Sequence, residues 1–91
     1  MDRGVTTVAP RAVRRIAARA AREVDGIDGA VTAEATVDGL VTTLDIGLPV
    51  AYPAPITATA ERVRTHLRER TADLTGLRVE RVDITIAGGA R

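Results

Sequence analysis

VAYPAPITATAERVRTHLRERTADLTGLRVERVDITI, Val50 to Ile86, reads as the end of a strand, a Tyr-Pro turn, an amphipathic helix, a Thr-Gly-Leu stop and a final alternating strand. Pro55 suits the opening of the helix, since a proline at the first turn loses no hydrogen bond. Ile56, Ala60, Val63, Leu67 and Leu74 form its narrow apolar stripe, and Gly76 is placed to end it. In the strand that follows, the apolar parity changes between Leu77/Val79 and Val82/Ile84/Ile86, which predicts a bulge or a twist near Glu80–Arg81. Together these signals make a βαβ unit with almost no residue between its elements that could do chemistry.

Working outward, Leu44, Ile46, Leu48 and Val50 face one way on the preceding strand, and Thr43, Asp45, Gly47 and Pro49 face the other. Pro49 cannot donate to a ladder, so that strand lies at an edge or ends there. Asp38-Gly39 is a hairpin signal, and it joins this strand to an antiparallel partner over Ala30 to Val37. In that partner Val31, Ala33, Ala35 and Val37 alternate with Thr32, Glu34 and Thr36.

Upstream, Pro10 starts a first helix expected to stop near Asp25, with Gly26 supplying the left-handed cap. Its inner positions are Val13, Ile16, Ala17, Ala20, Ala21 and Val24; Arg11, Arg14, Arg15, Arg19 and Arg22 fall on the opposite side. Val5 to Val8 is a weak first strand. The expected fold is α+β, a two-layer sandwich of βαββαβ order with both helices on one face of a mostly antiparallel sheet. One domain is expected over residues 1–91, ordered from about 4 to 87, with short tails at either end.

Composition narrows the mechanism. Ala and Val supply 27 of the 41 apolar residues, and Phe and Trp are absent. A chain of 91 residues buries only a little over ~60% of its unfolded surface. Small side chains remove less area from water each, so the core is thin and self-association is a plausible supplement. Cys, Ser, Lys, Asn and Gln are all missing, which removes most side-chain nucleophiles and every thiolate metal site. The N-terminus lacks the layout of a secretion signal, and no apolar run approaches the ~18 residues of a spanning helix. A cytoplasmic location follows as the expectation. The net charge of +1 hides blocks of +4 over residues 1–24, −6 over 25–61 and +3 over 62–91. Such blocks are either solvated faces or a basis for head-to-tail contact between copies.

Three stretches, IAARAAREVDGIDG (Ile16 to Gly29), LDIGLPVAYP (Leu44 to Pro53) and TGLRVERVDITI (Thr75 to Ile86), together resemble the alkaline shock protein family of bacterial envelope stress-response proteins. Pro53 stands where that family more often has Gly. The resemblance implies a non-enzymatic protein of cell-envelope homeostasis, cytoplasmic and peripheral at the inner membrane face. It also implies a homo-oligomer held there by a membrane-anchor protein.

No catalytic residue, cofactor site or metal site is expected. Partner binding is assigned to Arg11, Arg14, Arg15, Arg19 and Arg22, because guanidinium groups recognise carboxylate and phosphate by paired hydrogen bonds. The sole aromatic, Tyr52, is either a cover for the end of the core or an anchor for a partner. The same Arg face would serve a nucleic-acid-binding, KH-like module. Gly26-Ile27-Asp28-Gly29 matches the GxxG loop of such modules, but a strand rather than a helix follows, and a helix stop with a turn explains it. The absence of exposed aromatics for base stacking also argues against single-strand binding. His66, Glu69 and Asp73 share one side of the second helix, and flanking Arg62 and Arg70 make ion pairing the expected role rather than metal ligation.

Overall fold

The computed structural model describes residues 8–27, 29–49 and 55–87. Its elements are α1 (Pro10–Arg22), β1 (Thr32–Asp38), β2 (Val41–Pro49), α2 (Ile56–Thr75) and β3 (Arg78–Ala87). The expected first strand falls outside the described residues except for Val8, which has no regular structure. Val50, Tyr52 and the Tyr-Pro turn also lie outside them.

Pro10 occupies the first turn of α1, and the helix ends at Arg22, a little before the expected Asp25. The amide of Glu23 closes that end by donating to the Ala20 carbonyl at 3.1 Å. Val13, Ala17, Ala20 and Ala21 are buried as their spacing predicts, with Ile16 and Val24 half-buried. Gly76 ends α2 in the left-handed conformation at φ 76°, and its amide reaches the Ala72 carbonyl at 2.8 Å. Most residues would be strained there, which is why the stop signal reads so clearly. Thr75 adds a second tie, since its hydroxyl donates to the Thr71 carbonyl at 2.6 Å and accepts the Leu77 amide at 3.0 Å.

The inner face of α2 departs from the apolar stripe. Thr59, Val63, Leu67 and Thr71 are buried, whereas Ile56 and Leu74 remain 41% and 55% exposed. Ile56 and Leu74 share the arc of Val63 and Leu67 but stand in the first and last turns of the helix, and within the packed length the methyl of a threonine fills a position as a valine would. The hydroxyl of Thr71 is nevertheless buried with no hydrogen-bond partner among the described residues.

Both helices lie on one face of a three-stranded sheet ordered β1-β2-β3, the expected two-layer α+β sandwich. The sheet is mixed. The hairpin through Gly39 and Leu40 makes β1 and β2 antiparallel, and the α2 crossover returns the chain parallel, so β3 runs alongside β2. The predicted bulge is present: Thr42 pairs with Val79 and Thr43 with Arg81, leaving Glu80 as the extra residue. Pro49 ends the central strand, so its missing donor interrupts no ladder.

The core consists of four Ala, four Val, four Leu and Ile46, with no aromatic among them. Gly47 permits one close approach, because a Cβ there would run into the Thr32 hydroxyl on the paired strand.

Candidate interaction surfaces

All five Arg of the α1 outer face are exposed. Burial of the Ala-rich side against the sheet turns them outward. Arg14 leans over the β1 edge, with Nη1 3.9 Å from Glu34 Oε1. Arg14, Arg15 and Ala18 thereby line a shallow groove of about 350 Å³ with residues of β1. Arg19 borders a smaller one of about 280 Å³ beside Arg70 and the exposed Leu74. The predicted Arg set therefore shares one helix face, while Tyr52 lies outside the described residues.

A second cluster joins the two helices. His66 Nε2 stands 2.7 Å from Glu23 Oε1, and Arg70 Nε stands 3.7 Å from the same oxygen. An ionised carboxylate only accepts, so His66 is the donor. This hydrogen bond, assisted by the Arg70 and Arg19 charges, holds the Glu23 carboxyl below its ordinary value of 4.5. Arg62 reaches back across the seam to the Asp25 carbonyl at 3.4 Å. Glu23, Asp25, Glu61, Arg62, His66 and Glu69 line an open groove of about 580 Å³ here. His66 thus pairs with α1, not with Glu69 and Asp73 of its own helix. Among the described residues, no three His, Cys, Asp or Glu side chains stand together as a metal site would require.

Helix α2 also reaches β3. Arg64 Nε donates to the Val82 carbonyl at 3.3 Å, and Arg68 Nη1 to the Val79 carbonyl at 2.9 Å. These guanidinium groups tie α2 to the backbone of β3.

The outer sheet face carries a pattern that only the register reveals. Thr32, Gly47 and Thr85 form one cross-strand row, Glu34, Asp45 and Asp83 the next, and Thr36, Thr43 and Arg81 a third. The Thr36 and Thr43 hydroxyls hydrogen-bond to each other, and Arg81 Nε lies 3.2 Å from Asp83 Oδ2. Alternation within each strand identifies Glu34 and Asp45 as solvent-facing. Asp83 joins them only through the parallel pairing with β2, which strand-by-strand reading does not supply.

No protein-family model matches the chain, and no curated protein does. Solved structures do match. A MamM C-terminal domain spanning 215-293 is 18% identical with a TM-score of 0.62, covering 86% of this chain and 96% of that one. A manganese form of such a domain gives 18% and 0.61 over 86% of this chain and 96% of that one. A zinc form gives 19% and 0.62 over 88% and 86%. These likenesses show the fold, a ferredoxin-like α+β arrangement shared with the MamM domains. They also correct the resemblance to the alkaline shock protein family, because the structural neighbours are MamM C-terminal domains instead. The physical reason lies in the motifs that carried it. A glycine helix stop, an alternating strand ending in proline and a Thr-Gly-Leu turn report local backbone structure, which chains of different families share.

Proposed function

We propose that the chain is a non-enzymatic protein-interaction module, cytoplasmic, acting through self-association and through a membrane-anchored partner. The observation that carries this reading is the combination of a thin, aromatic-free core with an exposed face bearing five Arg. A core of small residues leaves a modest margin of stability, which burial of further surface between copies would raise. The matched neighbours are named as C-terminal domains, so the fold serves as a part of a longer protein there. No described helix is long and apolar enough to cross a membrane. Chemistry has little to work with: the one His is tied to Glu23, and Cys, Ser and Lys are absent. The manganese and zinc named for the MamM domains are not carried over, for want of a ligand cluster among the described residues.

Sedimentation velocity over a dilution series tests self-association. The sedimentation coefficient should rise with concentration, and an unchanging folded monomer at every concentration would overturn the proposal. Affinity purification from a membrane fraction tests the anchored partner, with recovery of a membrane protein expected.

The exposed Arg face also favours a second reading, a nucleic-acid-binding module. Tight binding of a labelled RNA or DNA oligomer, weakening steeply with salt, would mark it. With a single Tyr and no Phe or Trp, the chain has little with which to stack bases.

A further inference from the structure

We propose that copies dock head to tail, the Arg face of α1 on one copy lying across the Glu34–Asp45–Asp83 row on the outer sheet face of the next. This rests on the self-association reading and names the two surfaces that would carry it.

The acid row is unusual in itself. Neighbouring strands lie about 4.8 Å apart, so three carboxylates stand within roughly 10 Å across the sheet. Like charges directly opposite on paired strands are unfavourable, and here they occur twice, Glu34 against Asp45 and Asp45 against Asp83. Among the described residues, relief comes only at the ends: Arg14 stands 3.9 Å from Glu34 and Arg81 stands 3.2 Å from Asp83. Among the described residues, no ion pair reaches Asp45 in the middle. All three acids are exposed, Glu34 to 77% of its side chain.

The complementary row is on α1. Arg11, Arg15 and Arg19 recur every four residues, so they succeed one another at a rise of about 6 Å, with Arg22 one turn further. That spacing comes close to the strand spacing, so successive guanidinium groups can meet successive carboxylates with paired hydrogen bonds. Flanking the acid row, Thr32, Gly47 and Thr85 leave a low rail, with the Thr32 hydroxyl leaning over the glycine. Arg81 lies on the other flank and repels an incoming Arg, which sets the docked helix toward the threonine side.

Geometry also decides the kind of assembly. Both helices cover one face of the sheet, so the Arg row and the acid row point to opposite sides of the sandwich. A contact between them is heterologous and leaves a donor face and an acceptor face open at the ends. Such contacts propagate into chains unless the rotation closes a ring.

A charge-swap experiment on the full chain tests this. One variant carries Arg15→Glu with Arg22→Glu, and the other Glu34→Arg with Asp45→Arg; circular dichroism confirms that each folds. In sedimentation velocity at about 50 mM salt, each variant alone should associate about tenfold or more weakly than the wild type, and an equimolar mixture should regain association. Raising salt to about 500 mM should dissociate the wild type. If the reversal variants fail to fold, Glu34→Gln with Asp45→Asn supplies the sheet-face test by the same readout. A wild type that stays monomeric overturns the self-association reading itself. A wild type that associates while the variants associate equally well leaves that reading standing and overturns the docking surface. Association abolished by EDTA would replace the direct Arg–carboxylate contact with a bridging cation and overturn the proposal. So would salt-sensitive RNA binding lost in the Arg15/Arg22 variant without any wild-type association.

Discussion

Helices α1 and α2 lie side by side on the same face of the sheet and are both rich in Arg, yet they use it in opposite ways. In α2, Arg64 and Arg68 donate to β3 carbonyls, Arg62 reaches the Asp25 carbonyl, and Arg70 lies against Glu23. In α1 the Arg side chains turn outward, and Arg14 touches Glu34 only at 3.9 Å. The inner faces differ as well. Helix α1 packs closely through Ala17, Ala20 and Ala21, while α2 fills its side with Val63, Leu67 and two threonines. A guanidinium with a backbone acceptor belongs to the scaffold, and one facing solvent is open to a partner. Counting Arg along the chain does not separate the two uses; the acceptors do.

The largest effect expected from this contrast is in the α2 core. Leu67 is fully buried, so Leu67→Ala should cost about 3 kcal/mol in urea unfolding, whereas Arg11→Ala and Arg15→Ala on α1 should stay within about 0.5 kcal/mol. A loss from Arg15→Ala comparable to that from Leu67→Ala would break the comparison. Next, Arg68→Ala should cost about 1 kcal/mol, because the Val79 carbonyl loses its donor. Equal, small effects for Arg68→Ala and Arg15→Ala would mean that α2 is not tied to β3 as described. Thr71→Val should raise stability by up to about 1 kcal/mol, since it removes a buried hydroxyl that has no partner and keeps the shape.

The smallest effect is at the seam between the helices. The Glu23 carboxyl is depressed first by the His66 hydrogen bond, so its contribution is present above the unfolded value of 4.5 and lost as pH falls through the lower folded value. Carboxyl NMR should place its midpoint below 4.5 in the wild type and nearer to 4.5 in His66→Ala. An unshifted midpoint in the wild type would remove the His66–Glu23 hydrogen bond.

Much of the architecture was legible because it rests on local signals. The α1 stripe, the Asp38-Gly39 hairpin, the bulge at Glu80 and the Gly76 stop each depend on a few consecutive residues whose backbone preferences or alternation leave little choice. Apolarity alone does not give the inner face of α2. Ile56 and Leu74 share the arc of Val63 and Leu67, but they stand in the first and last turns of the helix, whereas Thr59 and Thr71 lie within its packed length. The Arg face was legible as a face, since helical periodicity alone places its members together. Its counterpart on the sheet was only half legible: Glu34 and Asp45 showed as solvent-facing, and Asp83 did not join them.

By itself the amino-acid sequence determined the two helices and the three described strands, the core-facing side of α1, the exclusion of thiol and serine chemistry, and the Arg face of α1. Tertiary structure alone decided that Glu34, Asp45 and Asp83 stand in one row, that His66 meets Glu23, and that Arg64 and Arg68 serve β3. The physical reason is distance along the chain. Periodicity and turn chemistry act over a few residues, whereas Asp45 and Asp83, or Glu23 and His66, meet only after a crossover has set strand register and helix placement.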